Sequence, residues 1–224
     1  MKTFARVNVR CGSYSEIALN NYFIAKKSIE EIKAENDIAY CIENDHNVSH
    51  ATIITCVFSI MAIESFFNDY AAKNLGDEEF YDNFDKLSLL SKFQLISKFI
   101  LKTSIDKSKS YYGNLKATEK IRNELVHNKS KDLFKWMQDK NMELCDDINE
   151  PELDETATFK NMIDKLDEML QEAKTAIKSM RDIAFFFEEH DEDSVAMNML
   201  FPELMRLQET RFSKEIKREF SIKI

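Results

Sequence analysis

Glycine and proline are almost missing from this chain, with three and two residues respectively in 224. Average usage over that length gives roughly sixteen and eleven. Sheet proteins need both residues at their turns, so the shortage argues for long helices joined by few connections. Cysteine is also sparse. Cys11, Cys41, Cys56 and Cys145 form no CxxC pair and no disulfide framework, which predicts buried or incidental thiols in a reducing cytosol. No signal-peptide h-region is present, and the longest apolar run, Ala51 to Ile63, is shorter than a bilayer requires and is interrupted by threonines and a serine. The expectation is a soluble, cytoplasmic protein with no membrane partner. There is also no Walker motif, GxGxxG, nucleophile elbow or HExxH. Nucleotide hydrolysis, dinucleotide redox chemistry and zinc proteolysis therefore have no support, and neither a cofactor nor a metal is expected.

What the chain does have is apolar bulk. At 44% hydrophobic content it can bury a sizeable core, and seventeen phenylalanines with ten methionines suit irregular helix–helix packing. The fold class expected is all-α, an up-and-down helical bundle with extra C-terminal helices and a short N-terminal strand or arm where Phe4, Val7, Val9 and Cys11 alternate with polar residues. Residues 1–138 read as the bundle, 139–155 as an acidic linker with eight acids and one lysine, and 156–224 as long helices packing on the same bundle.

Within the bundle, Ser13 or Ser15 can cap a helix to about Glu35 with Ile17, Phe23, Ile24, Ile29 and Ile32 inward. A loop around Glu43–Asn47 precedes a central helix that starts at Asn47 or Ser49 and stops at Gly76. A short piece over 77–84 leads to a helix at about 86–102 with two apolar sets, Leu89, Phe93, Ile96, Ile100 and Leu90, Leu95, Phe99. Further helices are expected at about 108–127, 156–189 and 194–220, with a short amphipathic piece at 133–137.

The net charge of −9 hides a strong asymmetry. Between Lys86 and Lys135 twelve lysines and arginines face four acids, a local +8 that leaves −17 on the remainder. Such an island attracts phosphate while the rest of the molecule repels it, although a solvated helix face is the commoner origin of lysine runs.

Inside the island, residues 122–127 read Arg-Asn-Glu-Leu-Val-His. Histidine titrates near neutrality, so His127 can accept the proton of a ribose 2′-hydroxyl or protonate a leaving 5′-oxygen. Arg122 can hold the phosphate bidentately while charge builds on it. Five residues apart on a helix, the two are separated by about 140° and about 7.5 Å along the axis. They converge only if the helix ends between them or a second subunit supplies the other half. Asn123 and His127, at i and i+4, share a face. The competing reading is a helix ending, with histidine favoured by the dipole and Lys120–Glu124 an ordinary i,i+4 pair.

Ile121-Arg122-Asn123-Glu124-Leu125-Val126-His127-Asn128 resembles the R-x4-6-H signature of the HEPN superfamily (higher eukaryote and prokaryote nucleotide-binding domains), in which Asn is favoured after the arginine. Ala62-Ile63-Glu64-Ser65-Phe66-Phe67-Asn68-Asp69-Tyr70-Ala71 is similar to the helix preceding the motif in many bacterial members. The resemblance covers about residues 14–135. It implies an all-helical bundle, a homodimer with the motif at its interface, and metal-independent endoribonuclease activity of the kind found in toxins and antiviral effectors. RNA is then the substrate partner and a cognate antitoxin a further partner. By the same resemblance Arg122 is the phosphate ligand, His127 the acid–base residue and Asn123 its polar support. Other members keep the bundle and only bind nucleotides or partners, which makes a non-catalytic module the alternative.

Glu64 shares a face with Ile53, Val57 and Ile60, so it reads either as a partly buried carboxylate with Arg122 a candidate partner or, equally, as a residue at the polar edge with Asn68; in both cases it is a supporting residue only. Lys116, Lys120, Lys129 and Lys131 are the candidate RNA-binding cations, and Tyr111 and Tyr112, more often packing residues, are candidates for base stacking. His46 and His50 match no common zinc spacing and read as residues straddling a helix start, while His190 reads as exposed among acids. The double apolar face at 86–102, with the failure of Arg122 and His127 to converge within one helix, predicts that this helix and the one at 108–127 form much of a homodimer interface. Light scattering at micromolar concentration should report a dimer; a fully active monomer would count against it.

Overall fold

The structure, a computed structural model, describes residues 10–126, 155–205 and 210–222. Helix α1 (Cys11–Glu35) starts one turn earlier than a serine cap would place it, with no side-chain cap at Arg10. Ser15 is instead buried, and its hydroxyl donates to the Leu200 carbonyl at 2.5 Å. The inner stripe runs Cys11, Ser15, Ala18, Tyr22, Ala25, Ile29, Ile32, spaced by three and four residues. Ile17 and Ile24, expected inside, are 36% and 52% exposed. Each lies one residue, about 100°, from the stripe. The inward positions beside them belong to Ala18 and Ala25, whose small side chains admit the neighbouring helix. Asn36 closes α1 in the left-handed region and donates its N–H to Ile32.

Helix α2 (Ile38–Leu75) follows after a single turn and runs unbroken for 38 residues. The loop expected at 43–47 is absent because Asp37 caps the helix by accepting from the Tyr40 N–H at 2.7 Å. Cys41 and Val48 hold its first turns on the core, while Asn44 turns its amide back to the Tyr40 carbonyl. Gly76 terminates α2 at φ +92°, a conformation that favours glycine. Among the described residues α2 alone has the length and apolarity of a bilayer span, and 56% of its most apolar window is buried inside the protein.

The next segments are short. Helix α3 (Asp77–Glu79) passes into a π-turn at Phe80–Phe84, and Ser88 caps α4 (Leu89–Leu95), which ends in a second π-turn, Ile96–Ile100. Leu89, Phe93 and Ile96 are buried; of the second apolar set Leu90 and Leu95 are half-buried and Phe99 is 54% exposed. Helix α5 (Ser110–Val126) carries the arginine of the motif, and α6 (Glu155–His190) is the second long helix. The single last helix expected at 194–220 is broken. Phe201 leaves the helical region at φ −140°, ψ 60°, as the residue before a proline tends to, so α7 (Ala196–Leu200) gives way to a 3-10 turn at Pro202–Met205. Thr210 then caps α8 (Arg211–Phe220).

The fold is an all-α packed bundle, and among the described residues there is no strand. The arm expected at the N-terminus lies outside the described residues apart from Arg10 and Cys11, the latter the first residue of α1; the expected piece at 133–137 also lies outside them, as does all of 139–155 except Glu155, where α6 begins. One aromatic cluster joins four helices. Phe67 of α2 stacks on Phe93 of α4 at 5.6 Å with planes 1° apart, Phe66 meets Phe187 of α6 edge-on at 4.7 Å, and Phe186 packs on Phe93 and on Tyr111 of α5. Polar ties reinforce it. Thr118 and Ser179 share a buried 2.8 Å hydrogen bond, and the Asn114 amide donates to Asp182, which also pairs with Arg181.

Helix α8 is held by one carboxylate. Glu219 accepts from the Tyr22 hydroxyl at 2.9 Å and from Lys26 and Lys174, each at 2.6 Å. Burial works to raise its pKa, but the three donors outweigh it and hold the carboxyl at about 2, below its ordinary 4.5. The proton is bound more weakly in the folded state than in the unfolded one. The stabilisation is therefore whole above pH 4.5 and is lost as pH falls through about 2. Glu219→Gln should lower stability at neutral pH by about 2 kcal/mol and flatten the acid limb, read by chemical denaturation across that range. An unchanged acid limb would contradict the assignment.

Candidate functional site

Three elements line an open-sided cavity of about 250 Å³. From α2 come Ile60 and Glu64, one turn apart; from the start of α4 come Leu87, Ser88 and Leu89; from α5 come Glu119, Arg122 and Asn123, at i, i+3 and i+4. The α5 residues reach the cavity because the Tyr111, Leu115, Thr118 stripe that seats the helix on the core continues to Arg122. Sequence spacing thus puts an arginine at a core-facing position one turn beyond the buried Thr118.

Arg122 is half-buried. Among the described residues its guanidinium donates to the Asn123 side-chain oxygen at 3.0 Å and forms no salt bridge with a carboxylate. Glu64, for which Arg122 was one candidate partner, is bonded to Lys92, whose ammonium donates to Glu64 at 2.9 Å and to the Asn68 side-chain oxygen at 2.9 Å. Glu119 accepts from the backbone N–H of Leu89 at 3.1 Å and so serves the first turn of α4. Asn123, expected to support His127, thus accepts from the arginine in a solvent-exposed contact. His127, Lys129 and Lys131 lie outside the described residues, so the spacing of the Arg–His pair stays a property of the sequence.

The remaining candidates do not gather around Arg122. Lys116 and Lys120 are exposed and align with Asn123 at i, i+4 and i+7. Lys120 projects about 200° around the helix from Arg122. Its neighbour is Glu124, at 3.8 Å with both side chains largely in solvent, a pair of little energetic weight. Tyr111 is a packing residue. Its ring sits 6.0 Å from Phe93 and 5.0 Å from Phe186, and its hydroxyl accepts from the Asp106 N–H at 2.7 Å. Tyr112 is half-buried under Lys107, 5.8 Å from its ring. On the side of α5 that faces α6 the surface turns acidic. Burial, with Glu124 and Glu168 nearby, pushes the Glu172 carboxyl above the usual carboxylate range.

Lys92 is the residue that charge counting misplaces. It contributes to the basic island yet is 1% exposed. Position 92 lies between Leu89 and Ile96 at i+3 and i−4, so the apolar period already marks it as inward-facing. His46 and His50 stand exposed within α2, not at a helix start, with rings 6.1 Å apart, and among the described residues no three His, Cys, Asp or Glu side chains form a metal-sized cluster. His190, expected to be exposed, stacks on Phe186 at 4.4 Å and bonds the Phe186 carbonyl at 2.8 Å. Cys11, Cys41 and Cys56 are buried free thiols; burial, with Glu172 second, pushes Cys56 up to about 12, far from thiolate chemistry. Cys145 lies outside the described residues.

No protein-family model, curated protein or solved structure matches this chain.

The pairing of Lys92 with Glu64 is asymmetric, since the Glu64 side chain is 38% exposed. Removing the lysine leaves a carboxylate that water can reach, whereas removing the carboxylate strands an ammonium that it cannot. Glu64→Leu should therefore cost more than Lys92→Met, about 3 against about 1–2 kcal/mol by denaturant unfolding. The reverse order would mean the pair is organised around the glutamate.

Proposed function

We propose that this chain is a HEPN-type, metal-independent endoribonuclease that acts as a homodimer in the cytoplasm, in the manner of a toxin or antiviral effector. The observation that carries the reading is the state of Arg122. It is a half-buried guanidinium at the mouth of a cavity, bonded to Asn123 and neutralised by no carboxylate among the described residues. Withdrawing a guanidinium from water costs free energy that a counter-charge offsets. One with no carboxylate partner among the described residues is suited to a phosphate. The sequence supplies an acid–base group one and a half turns further on, in His127.

The chemistry these residues support is transesterification. One histidine accepts the 2′-hydroxyl proton as that oxygen attacks the adjacent phosphorus, and the 5′-oxygen departs with a proton from a second histidine. Symmetry supplies the second copy. Arg122 bears the charge that builds on the phosphoryl oxygens. Within one protomer Lys116 and Lys120 cannot reach the same phosphate as Arg122, so their part would be to guide flanking RNA or to meet the partner's substrate strand.

That separation, with the acidic lining beside Arg122, favours a second reading, a helical module that binds a nucleotide or a protein partner, an antitoxin among them, without cleaving it. Product analysis separates the two. Cleavage should leave 2′,3′-cyclic phosphate and 5′-hydroxyl ends, spare 2′-deoxy-substituted RNA and persist in EDTA. His127→Ala should reduce the rate by about a hundred- to ten-thousand-fold with RNA affinity nearly intact, and Arg122→Ala should reduce both. Wild-type cleavage by the histidine variant, or a strict need for a divalent ion, would leave the binding module as the better account.

A further inference from the structure

The cavity beside Arg122 has a composition that a phosphate site alone does not need. Its polar lining adds two carboxylates, Glu64 and Glu119, and its walls are the aliphatic side chains of Ile60, Leu87 and Leu89. Each carboxylate has one oxygen committed, Glu64 Oε1 to Lys92 and Glu119 Oε1 to the Leu89 N–H. A carboxylate accepts several hydrogen bonds, so both retain accepting capacity on the second oxygen. Two anionic acceptors in a shared recess demand donors from whatever enters. The aliphatic walls favour a flat apolar face, and Arg122 at the edge favours an attached anion. At about 250 Å³ the space lies just below the roughly 300 Å³ at which small-molecule sites begin, which suits one base rather than a whole nucleotide.

We propose that this cavity is a base-recognition pocket selective for guanine, with the phosphate of the same nucleotide on Arg122. Guanine presents two adjacent donors, N1–H and the 2-amino group, which match the two oxygens or neighbouring oxygens of carboxylates. Uracil offers one N–H flanked by carbonyls that glutamates repel. Adenine and cytosine each offer an exocyclic amino group beside a ring nitrogen acceptor. Glu119 is the better reader of the two. Its Oε1 anchors α4 and thereby fixes where the second oxygen can lie, whereas Glu64 is bound up with the charge of the buried Lys92. The proposal deepens the ribonuclease reading by naming the base next to the reacting phosphate, and it depends on that reading only in taking RNA as the natural ligand.

Calorimetric titration of the full chain with GMP, IMP, AMP, CMP and UMP tests it without requiring cleavage. GMP should bind about tenfold or more tighter than AMP, CMP and UMP. IMP, which keeps N1–H and lacks the 2-amino group, should fall between. Glu119→Gln retains an oxygen for the Leu89 N–H and turns the second acceptor into a donor, so it should erase the gap between GMP and IMP. Arg122→Ala should weaken all five alike and leave their order unchanged. Equal affinities across the five nucleotides, no measurable binding, or a guanine preference undiminished in a folded Glu119→Gln protein would overturn the pocket. The GMP-to-IMP ratio of the unmodified chain decides the matter should that variant fail to fold. Guanine preference without RNA cleavage would overturn the nuclease reading and support the pocket; cleavage without guanine preference would do the opposite.

Discussion

Everything about the candidate site depends on the contact between Phe67 and Phe93, two rings stacked 5.6 Å apart where α2 meets α4. Helix α4 is only seven residues long before its π-turn, too short to hold a direction by its own hydrogen bonds. Its orientation comes from Phe93, which is wedged between Phe67 on one side and Phe186 and Tyr111 on others. Those contacts also seat the first turn of α5. One aromatic knot therefore sets both the start of α4 and the start of α5, and the cavity between Glu64, Leu89 and Arg122 is the space left when they are so placed. Aromatic pairs of this kind contribute roughly 0.5–1.5 kcal/mol each beyond the area they bury. Their larger effect here is geometric.

Charge in this protein is arranged by burial more than by count. The basic island is real in the sequence, but its members do different things in space. Lys92, buried in the bundle, pairs with a carboxylate that water reaches, Lys116 and Lys120 face water, and Arg122 turns toward a recess that already holds two glutamates. The electrostatic surface that a ligand meets near Arg122 is consequently mixed, with one cation among acceptors. A mixed surface of that kind suits a ligand carrying an anion and hydrogen-bond donors together better than a uniform polyanion. This agrees with a chain whose overall charge of −9 disfavours indiscriminate attraction to nucleic acid.

The C-terminal helices contribute by support. Helix α6 packs along α2 and supplies Phe186 and Phe187 to the aromatic knot, Ser179 to the buried hydroxyl pair with Thr118, and Asp182 to Asn114. All three ties fall on the half of α5 that precedes Arg122. Helix α8 is in turn locked to α1 and α6 through Glu219 and through Arg181, which donates to the Phe220 carbonyl at 2.8 Å. A chain of contacts thus runs from the last helix to the shoulder of the site, and the aromatic pairing of Phe23 with Phe212 extends it across the outer face of α1.

The helical class, the two long helices, the stop at Gly76 and the position of α5 could all be read from residue order, because scarcity of glycine and proline, apolar periodicity and capping residues act over a few neighbours. The same local logic paired Asn123 with His127, which lies outside the described residues; the hydrogen bond that Asn123 does make, to Arg122, came only from the structure. That logic failed where the outcome depended on a distant partner. The polar run at 43–47 looks like a loop until Asp37 is seen to cap a helix whose other face is buried, and Ile17 and Ile24 look inward until Ala18 and Ala25 are seen to take the contact with α2. Glu64 illustrates the limit most clearly. Its place on the face of Ile53, Val57 and Ile60 was legible from their spacing, yet its partner was not, since Lys92 and Arg122 are both cations of the right reach. The choice between them was made by the Phe67–Phe93 stack, which turns Lys92 under α2 and leaves Arg122 facing the cavity. Periodicity determines which side of a helix is buried; only packing against another helix determines what it is buried against.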